Sequence, residues 1–292
     1  MDSNAMTVAN SINGDASKEW VDRYLTVLGV EWSEPSLDAL TAITRAHLRE
    51  IHFENITSLL RRAAHPEGPV PPLDPEALLA NWEHRRGGGV CYEIASMVER
   101  LLRGLGYRAF IAPGQIVSPA GHLAVVVEVD GGRYLVDLGN GAPLHEPIPL
   151  DREVEVHRAG LGFRFRLAET EGVWLQERLI HGEWQSFCRY TLAPVSSEDR
   201  EDAYQGHHRP GHSWVTGEPR TVRCRENAVS RLTLREFEVH TANGKRTEPV
   251  DGPEDFARWA ADDFDLPGLP VSEAIAAWEW ANGVAANDRT GA

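Results

Sequence analysis

Apolar residues at helical spacing open the chain. Trp20, Val21, Tyr24, Leu25 and Leu28 make one stripe that stops at Gly29, and Leu37, Leu40, Ile43, Leu48 and Ile51 make a second. The run His65-Pro66-Glu67-Gly68-Pro69-Val70-Pro71-Pro72 then reads as loop. Pro75 to Trp82 reads as a short helix, with Asp74 as its N-cap and Pro75 at the first helical position. Next, Arg85-Arg86-Gly87-Gly88-Gly89-Val90 leads into Cys91, and Ile94, Val98, Leu101, Leu102 and Leu105 repeat at helical spacing up to Gly106. The pattern therefore places Cys91 at the start of a helix, directly after a glycine loop.

From Tyr107 the period changes to that of strands. Tyr107–Ala112, His122–Val129 and Arg133–Leu138 come first, followed by Phe163–Leu167, Val173–Ile180 and Phe187–Leu192. Ser196–Ser213 reads as polar loop with one helical turn. Three more strands are expected at Arg220–Arg225, Val229–Leu234 and Glu236–His240, and two helices at Pro253–Asp263 and Val271–Ala281. Helices, then antiparallel strands, then a mixed end describe an α+β fold; strand–helix alternation of a doubly wound sheet is missing. The reading divides the chain into a start at 1–16, a helical part carrying the cysteine at 17–106, a strand part at 107–195, an α/β part at 196–282 and a disordered tail at 283–292. Ser3-Asn4-Ala5 ahead of Met6 reads as an expression scar.

Composition narrows the function. The chain has 292 residues and a net charge of -15, from 44 acidic and 29 basic residues, which speaks against nucleic acid or an anionic membrane as partner. No apolar run of about 18 residues and no signal peptide are visible, so a cytoplasmic protein is expected. The 3 cysteines, Cys91, Cys188 and Cys224, form neither a disulfide framework nor a CxxC metal motif. His207, His208 and His212 lack a carboxylate or thiol at ligand spacing, so no metal is expected. The pattern carries no signature of an oligomeric state.

The chemistry centres on Cys91. Unpaired amides and the positive end of a helix dipole stabilise a thiolate and, later, an oxyanion. A nucleophilic thiol needs a base and a group that orients it. Asp130-Gly131 between two apolar runs is a hairpin signal. A turn there pairs Val129 with Gly132 and sets Asp137 opposite Ala124, which shares a face with His122, so the two are diagonal neighbours. A Gly131-Gly132 turn would instead set Asp137 opposite Val126, one step too far. Taken singly, His122 reads as a polar strand start and Asp137 as a turn cap; with Cys91 they read as a triad. Cys188 and Cys224 follow no glycine loop and begin no helix.

Read together, these residues resemble the arylamine N-acetyltransferases. The resemblance runs through Phe53-Glu54-Asn55-Ile56, Arg86-Gly87-Gly88 with Cys91 and Glu93, Leu105-Gly106-Tyr107, His122-Leu123, and Tyr134-Leu135-Val136-Asp137-Leu138-Gly139, and spans roughly 17–282. It implies an N-terminal helical bundle, a β-barrel-like middle, a C-terminal α/β lid and a papain-like Cys-His-Asp core. It implies ping-pong transfer of an acyl group from acetyl-CoA or another acyl thioester, through Cys91, to an amine, with no bound cofactor. By the same resemblance Phe53, Gly139 and Asn140 contact substrate, and Arg86 and Glu93 form a pair supporting the cysteine loop. Two positions depart from the family: Ala95 stands where Asn is usual, and Asn140 where an aromatic is usual, which implies a wider, more polar acceptor pocket. A related amide synthase fed by an acyl carrier protein, and a papain-like amide hydrolase, are the alternatives.

Overall fold

The computed structural model describes residues 16–116, 121–209 and 213–281; the expected scar, most of the start, the tail and His212 lie outside them. Both opening stripes are helices. α1 (Lys18–Leu28) is capped by Ser17, whose hydroxyl accepts from the Trp20 amide, and ends at Gly29 with a left-handed φ of 65°. α2 (Leu37–Glu50) is capped in the same way by Ser36. The hydrophobic pattern did not single out the next two elements, β1 (Phe53–Glu54) and α3 (Ile56–Ala64). α4 (Pro75–Glu83) has Asp74 at its N-cap and Pro75 in its first turn, and α5 (Cys91–Gly104) begins at Cys91.

The middle of the chain is all strand: β2 (Arg108–Gln115), β3 (His122–Val129), β4 (Gly132–Val136), β5 (Ile148–Pro149), β6 (Val154–Arg158), β7 (Leu161–Leu167), β8 (Val173–Ile180) and β9 (Glu183–Thr191). They form one 8-stranded antiparallel sheet in the order β5-β4-β3-β2-β9-β8-β7-β6. Strand β3 shows how the sheet is used. Its odd residues Leu123, Val125 and Val127 join the cluster built from α1, α2, α4 and α5, while Ala124 and Val126 join Leu135, Phe163, Phe165, Trp174 and Tyr190 inside the curled sheet. Two buried faces explain why β3 is a continuous apolar run rather than an alternating one. Each large apolar side chain fully buried there stabilises the fold by ~1.5–3 kcal/mol relative to exposure.

The last part holds α6 (Ser197–His207), a 3-10 turn at Trp214–Thr216, β10 (Arg220–Cys224), β11 (Ala228–Thr233), β12 (Glu236–Thr241), β13 (Gly244–Pro249), α7 (Gly252–Asp262) and α8 (Val271–Ala281). The 5-stranded sheet β1-β10-β11-β12-β13 is covered by α3, α7 and α8 through Ile56, Leu59, Phe237, Phe256, Phe264 and Ile275. β1, whose Glu54 amide donates to the Gly89 carbonyl of the glycine loop, pairs with a strand some 170 residues later. The segment expected to be loop is helical in α6: only Tyr204 of its residues is buried, so no apolar stripe announces it, and Ser196 capping the Asp199 amide sets its start. Among the described residues no helix is long and apolar enough to cross a membrane.

Candidate active site

Three glycines shape the approach to Cys91. Gly87 and Gly89 hold φ values of 125° and 90°, and a side chain on Gly88 would run into the His52 carbonyl. Two fully buried carboxylates fasten this loop. Glu54 accepts from the Gly89 amide at 2.6 Å and from the Thr57 hydroxyl at 2.7 Å. Glu93, in the first turn of α5, accepts from the Val90 amide at 3.2 Å and pairs with Arg61 at 2.5 Å. The expected pairing of Arg86 with Glu93 is therefore corrected. Arg86 is exposed, and Glu93 points inward to α3, where Arg61 is the cation within reach. Cys91 itself occupies the first helical position, so its amide has no intrahelical acceptor and the sulfur sits at the positive end of the dipole.

His122 and Asp137 come from a single hairpin. Asp130 and Gly131 both take positive φ, 51° and 74°, the geometry of a tight primed turn. Val129 pairs with Gly132 and the ladder runs to Val125 opposite Val136. One step further sets Asp137 opposite Ala124, as the Asp130-Gly131 register requires. His122 and Asp137 consequently face the interior of the curled sheet, the same side as Ala124 and Leu135. His122 Nε2 lies 2.9 Å from both Asp137 oxygens. That leaves Nδ1 for Cys91, with which His122 is also hydrogen-bonded.

Charge organises this cluster. Burial opposes an imidazolium, but the Asp137 carboxylate and the hydrogen bond to Cys91 outweigh it and lift His122 well above the ordinary histidine range. Burial likewise pushes the Asp137 carboxyl up, and His122, Tyr190 and Asn140 more than reverse this, leaving it below its usual value. The two residues form an ion pair sealed from water, with 1% exposure for His122 and 4% for Asp137. Cys188 and Cys224 differ: burial holds their thiols at about 11 and about 12.

Sequence reasoning missed part of this network. Tyr190 from β9 places its hydroxyl 2.6 Å from Asp137 Oδ2 and 2.8 Å from Gln176 Oε1. With one proton to donate, it favours the charged acceptor. The Asn140 amide donates to Asp137 at 2.8 Å and to Gln176 at 3.0 Å. Asn140 is thus held against the carboxylate rather than simply opening the pocket. The inward alternation of Cys188 and Tyr190 along β9 was the one sequence signal for the tyrosine. Gly139 lies so close to Cys91 that a Cβ there would sit 2.6 Å from the Cys91 Cα.

A pocket of about 320 Å³ opens on this cluster, with His122, Gly139, Asn140 and Phe53 in its wall beside Phe187, Trp214, Leu232 and three arginines. A larger hollow of about 690 Å³ near α1 is lined by Lys18, Asp22, Arg23 and Glu83, which pair with one another and adjoin no nucleophile. Among the described residues no group of His, Cys, Asp and Glu is arranged to hold a metal ion.

A sequence profile described as N-acetyltransferase matches residues 36–267. The chain is similar to an arylamine N-acetyltransferase of Mycolicibacterium smegmatis, 32% identical over 87% of this chain and 96% of that one. It is also similar to a proansamycin X synthase of Amycolatopsis mediterranei, 28% identical over 56% of this chain and 64% of that one. The solved structure of Mycobacterium marinum arylamine N-acetyltransferase in complex with CoA superposes with a TM-score of 0.76 at 22% identity, covering 90% of this chain and 99% of that one.

Proposed function

The chain belongs to the arylamine N-acetyltransferase family, enzymes that transfer acyl groups through a cysteine nucleophile, and on that premise we propose that Cys91, His122 and Asp137 are its catalytic triad. The observation that carries the reading is the unbroken buried chain from the Cys91 thiol through the imidazole to the Asp137 carboxylate, with the thiol at the head of α5.

The geometry suits two half-reactions. With the Cys91 proton already held on His122 as imidazolium, the thiolate attacks the thioester carbonyl of an acyl-CoA. The orphan Cys91 amide stands ready for the oxyanion. The bond to the CoA sulfur breaks, His122 returns the proton to that sulfur, and an acyl-Cys91 thioester remains. An amine then attacks this carbonyl, His122 accepts its proton, and the Cys91 thiolate leaves. Asp137 holds one imidazole tautomer throughout and offsets the imidazolium charge. Cys91 is fully buried, so substrates reach it through the pocket in which Phe53, Gly139 and Asn140 are the proposed contacts. Glu93, with Arg61, steadies the loop. In this reading 17–106 brings the thiol, 107–195 the base and its carboxylate, and 196–282 one wall of the pocket. A reducing cytosol is the compartment that suits a working thiol beside two other free cysteines.

Intact-mass measurement after incubation with a panel of acyl-CoAs tests this. An acyl adduct is expected on the wild type and is expected to vanish in Cys91→Ala; an adduct that survives that substitution refutes the assignment. The similarity to the proansamycin X synthase, together with Asn140 in the pocket, favours a second reading in which the acyl group arrives on a carrier protein. Loading of Cys91 from a pantetheinylated carrier but not from labelled acetyl-CoA would select it.

A further inference from the structure

The pocket beside His122 concentrates positive charge within an acidic chain. Arg178 on β8, Arg220 on β10 and Arg231 on β11 line it, while the net charge of the whole chain is -15. Guanidinium groups in a half-buried hollow ordinarily meet carboxylates. Here they meet something else. Arg178 donates to Asn140 Oδ1 at 3.3 Å and lies over the Phe187 ring with 3.3 Å to its centroid, and its buried Nε has no acceptor among the described residues. Arg220 reaches a backbone carbonyl, that of Glu218, at 3.5 Å. Glu238, directly opposite Arg231 across the β11–β12 ladder, is engaged by Lys245 and His240. The acid acting on Arg178 is Asp137, already bound by His122, Tyr190 and Asn140.

Arg231 also acts on Arg178. Burial first, and then the charge of Arg231, bring Arg178 down to about 10. Two neighbouring guanidiniums without a counter-ion of their own are costly to keep, and the pocket they face opens on the candidate nucleophile. We infer that the pocket takes a substrate bearing a carboxylate, gripped by Arg178 and Arg231, whose planar forks match that group. Phe53, Phe187, Trp214 and Leu232 supply apolar wall for the ring or chain that carries it. The carboxylate belongs either to the amine acceptor or to the far end of the acyl group. The inference rests on the triad reading only for the statement that this pocket serves catalysis.

Two near-isosteric pairs test it on the purified protein. 3-Aminobenzoate is compared with 3-aminobenzamide using acetyl-CoA, and succinyl-CoA with 4-methylpentanoyl-CoA using aniline. The carboxylate member of one pair is expected to be preferred, and that pair identifies the source. In Arg231→Met the ratio of kcat/KM within the preferred pair should fall roughly ten- to a hundredfold, the worth of a hydrogen bond to a charged group, and Arg231→Glu should move it further toward the neutral member. Thermal melts check that both variants are folded. Calorimetric binding of both pairs to Cys91→Ala separates the two claims. Selective binding of the carboxylate members without turnover by the wild type removes the triad reading and keeps the inference. Turnover without carboxylate preference in either pair overturns the inference and keeps the triad. Equal losses on both members in Arg231→Met assign the guanidiniums to the CoA phosphates and overturn it as well.

Discussion

Substituting alanine for Gly139 tests whether close approach of two backbones sets the position of the proposed nucleophile, Cys91. A Cβ at that position would stand 2.6 Å from the Cys91 Cα and 2.8 Å from its Cβ. Carbon atoms rest comfortably at about 3.5–4.0 Å, so one partner has to retreat by roughly 1 Å. Neither partner is a flexible side-chain end. Cys91 opens α5, and Gly139 follows two residues after Asp137, which is fixed by its hydrogen bonds. Crowding of this kind costs about 1–3 kcal/mol of stability, and a displacement of about 1 Å in a reacting group costs on the order of a hundredfold in rate. The assay is the second-order rate of iodoacetamide labelling at pH 6, followed by intact mass, beside kcat/KM for acetyl-CoA and urea unfolding. Gly206→Ala is the control: it lies in α6 with nothing within 4 Å of the added carbon, and a gain of ~0.5–1 kcal/mol is expected there. Gly139→Ala with labelling and turnover within about twofold of the wild type, well short of the estimated effect, would refute the reasoning.

Other consequences follow from charge and burial. At pH 6 iodoacetamide should label Cys91 alone, since burial keeps Cys188 at about 11 and Cys224 at about 12; peptide mapping that finds either of them modified in the folded protein contradicts this. Asp137→Asn should slow Cys91 labelling at pH 6 by removing the charge that favours the imidazolium. The contribution of the pair to stability is complete below the ordinary histidine value for His122 and lost as pH rises through its raised value; for Asp137 it is complete above the ordinary carboxyl value and lost as pH falls through its lowered one. Melting temperatures of wild type and Asp137→Asn should therefore differ most between about pH 4 and 6.5, and a gap that widens at alkaline pH would count against the ion pair. Arg61→Met leaves Glu93 buried and uncompensated and should cost about 3–5 kcal/mol in urea unfolding, whereas Arg86→Ala, on the surface, should stay within about 0.5 kcal/mol. Equal effects of the two would restore Arg86 to the cysteine loop.

How much of this was visible in the chain follows from the range of each interaction. Cys91 at a helix start was legible because a glycine run and a helical apolar period adjoin it in sequence. The His122–Asp137 pair was legible because a two-residue turn and the period of two along a strand carry register over 15 residues without help from elsewhere. That the thiol reaches this pair was set by α5 lying across β2 and β3, which buries Leu101 and Leu102 together with Leu123 and Val125. Periodicity marks those faces as apolar but not as partners of each other. The same limit explains Arg61 against Glu93, where a stronger motif pointed to Arg86. It also explains the 2-residue strand β1, which exists only because β10 is there to pair with it. The pocket arginines belong to strands that meet only after the curled sheet and the second sheet have closed on one another. Residue type and local spacing thus determined which groups the proposed chemistry uses, and long-range burial decided which of them touch, because apolar contact has no directional signature in sequence.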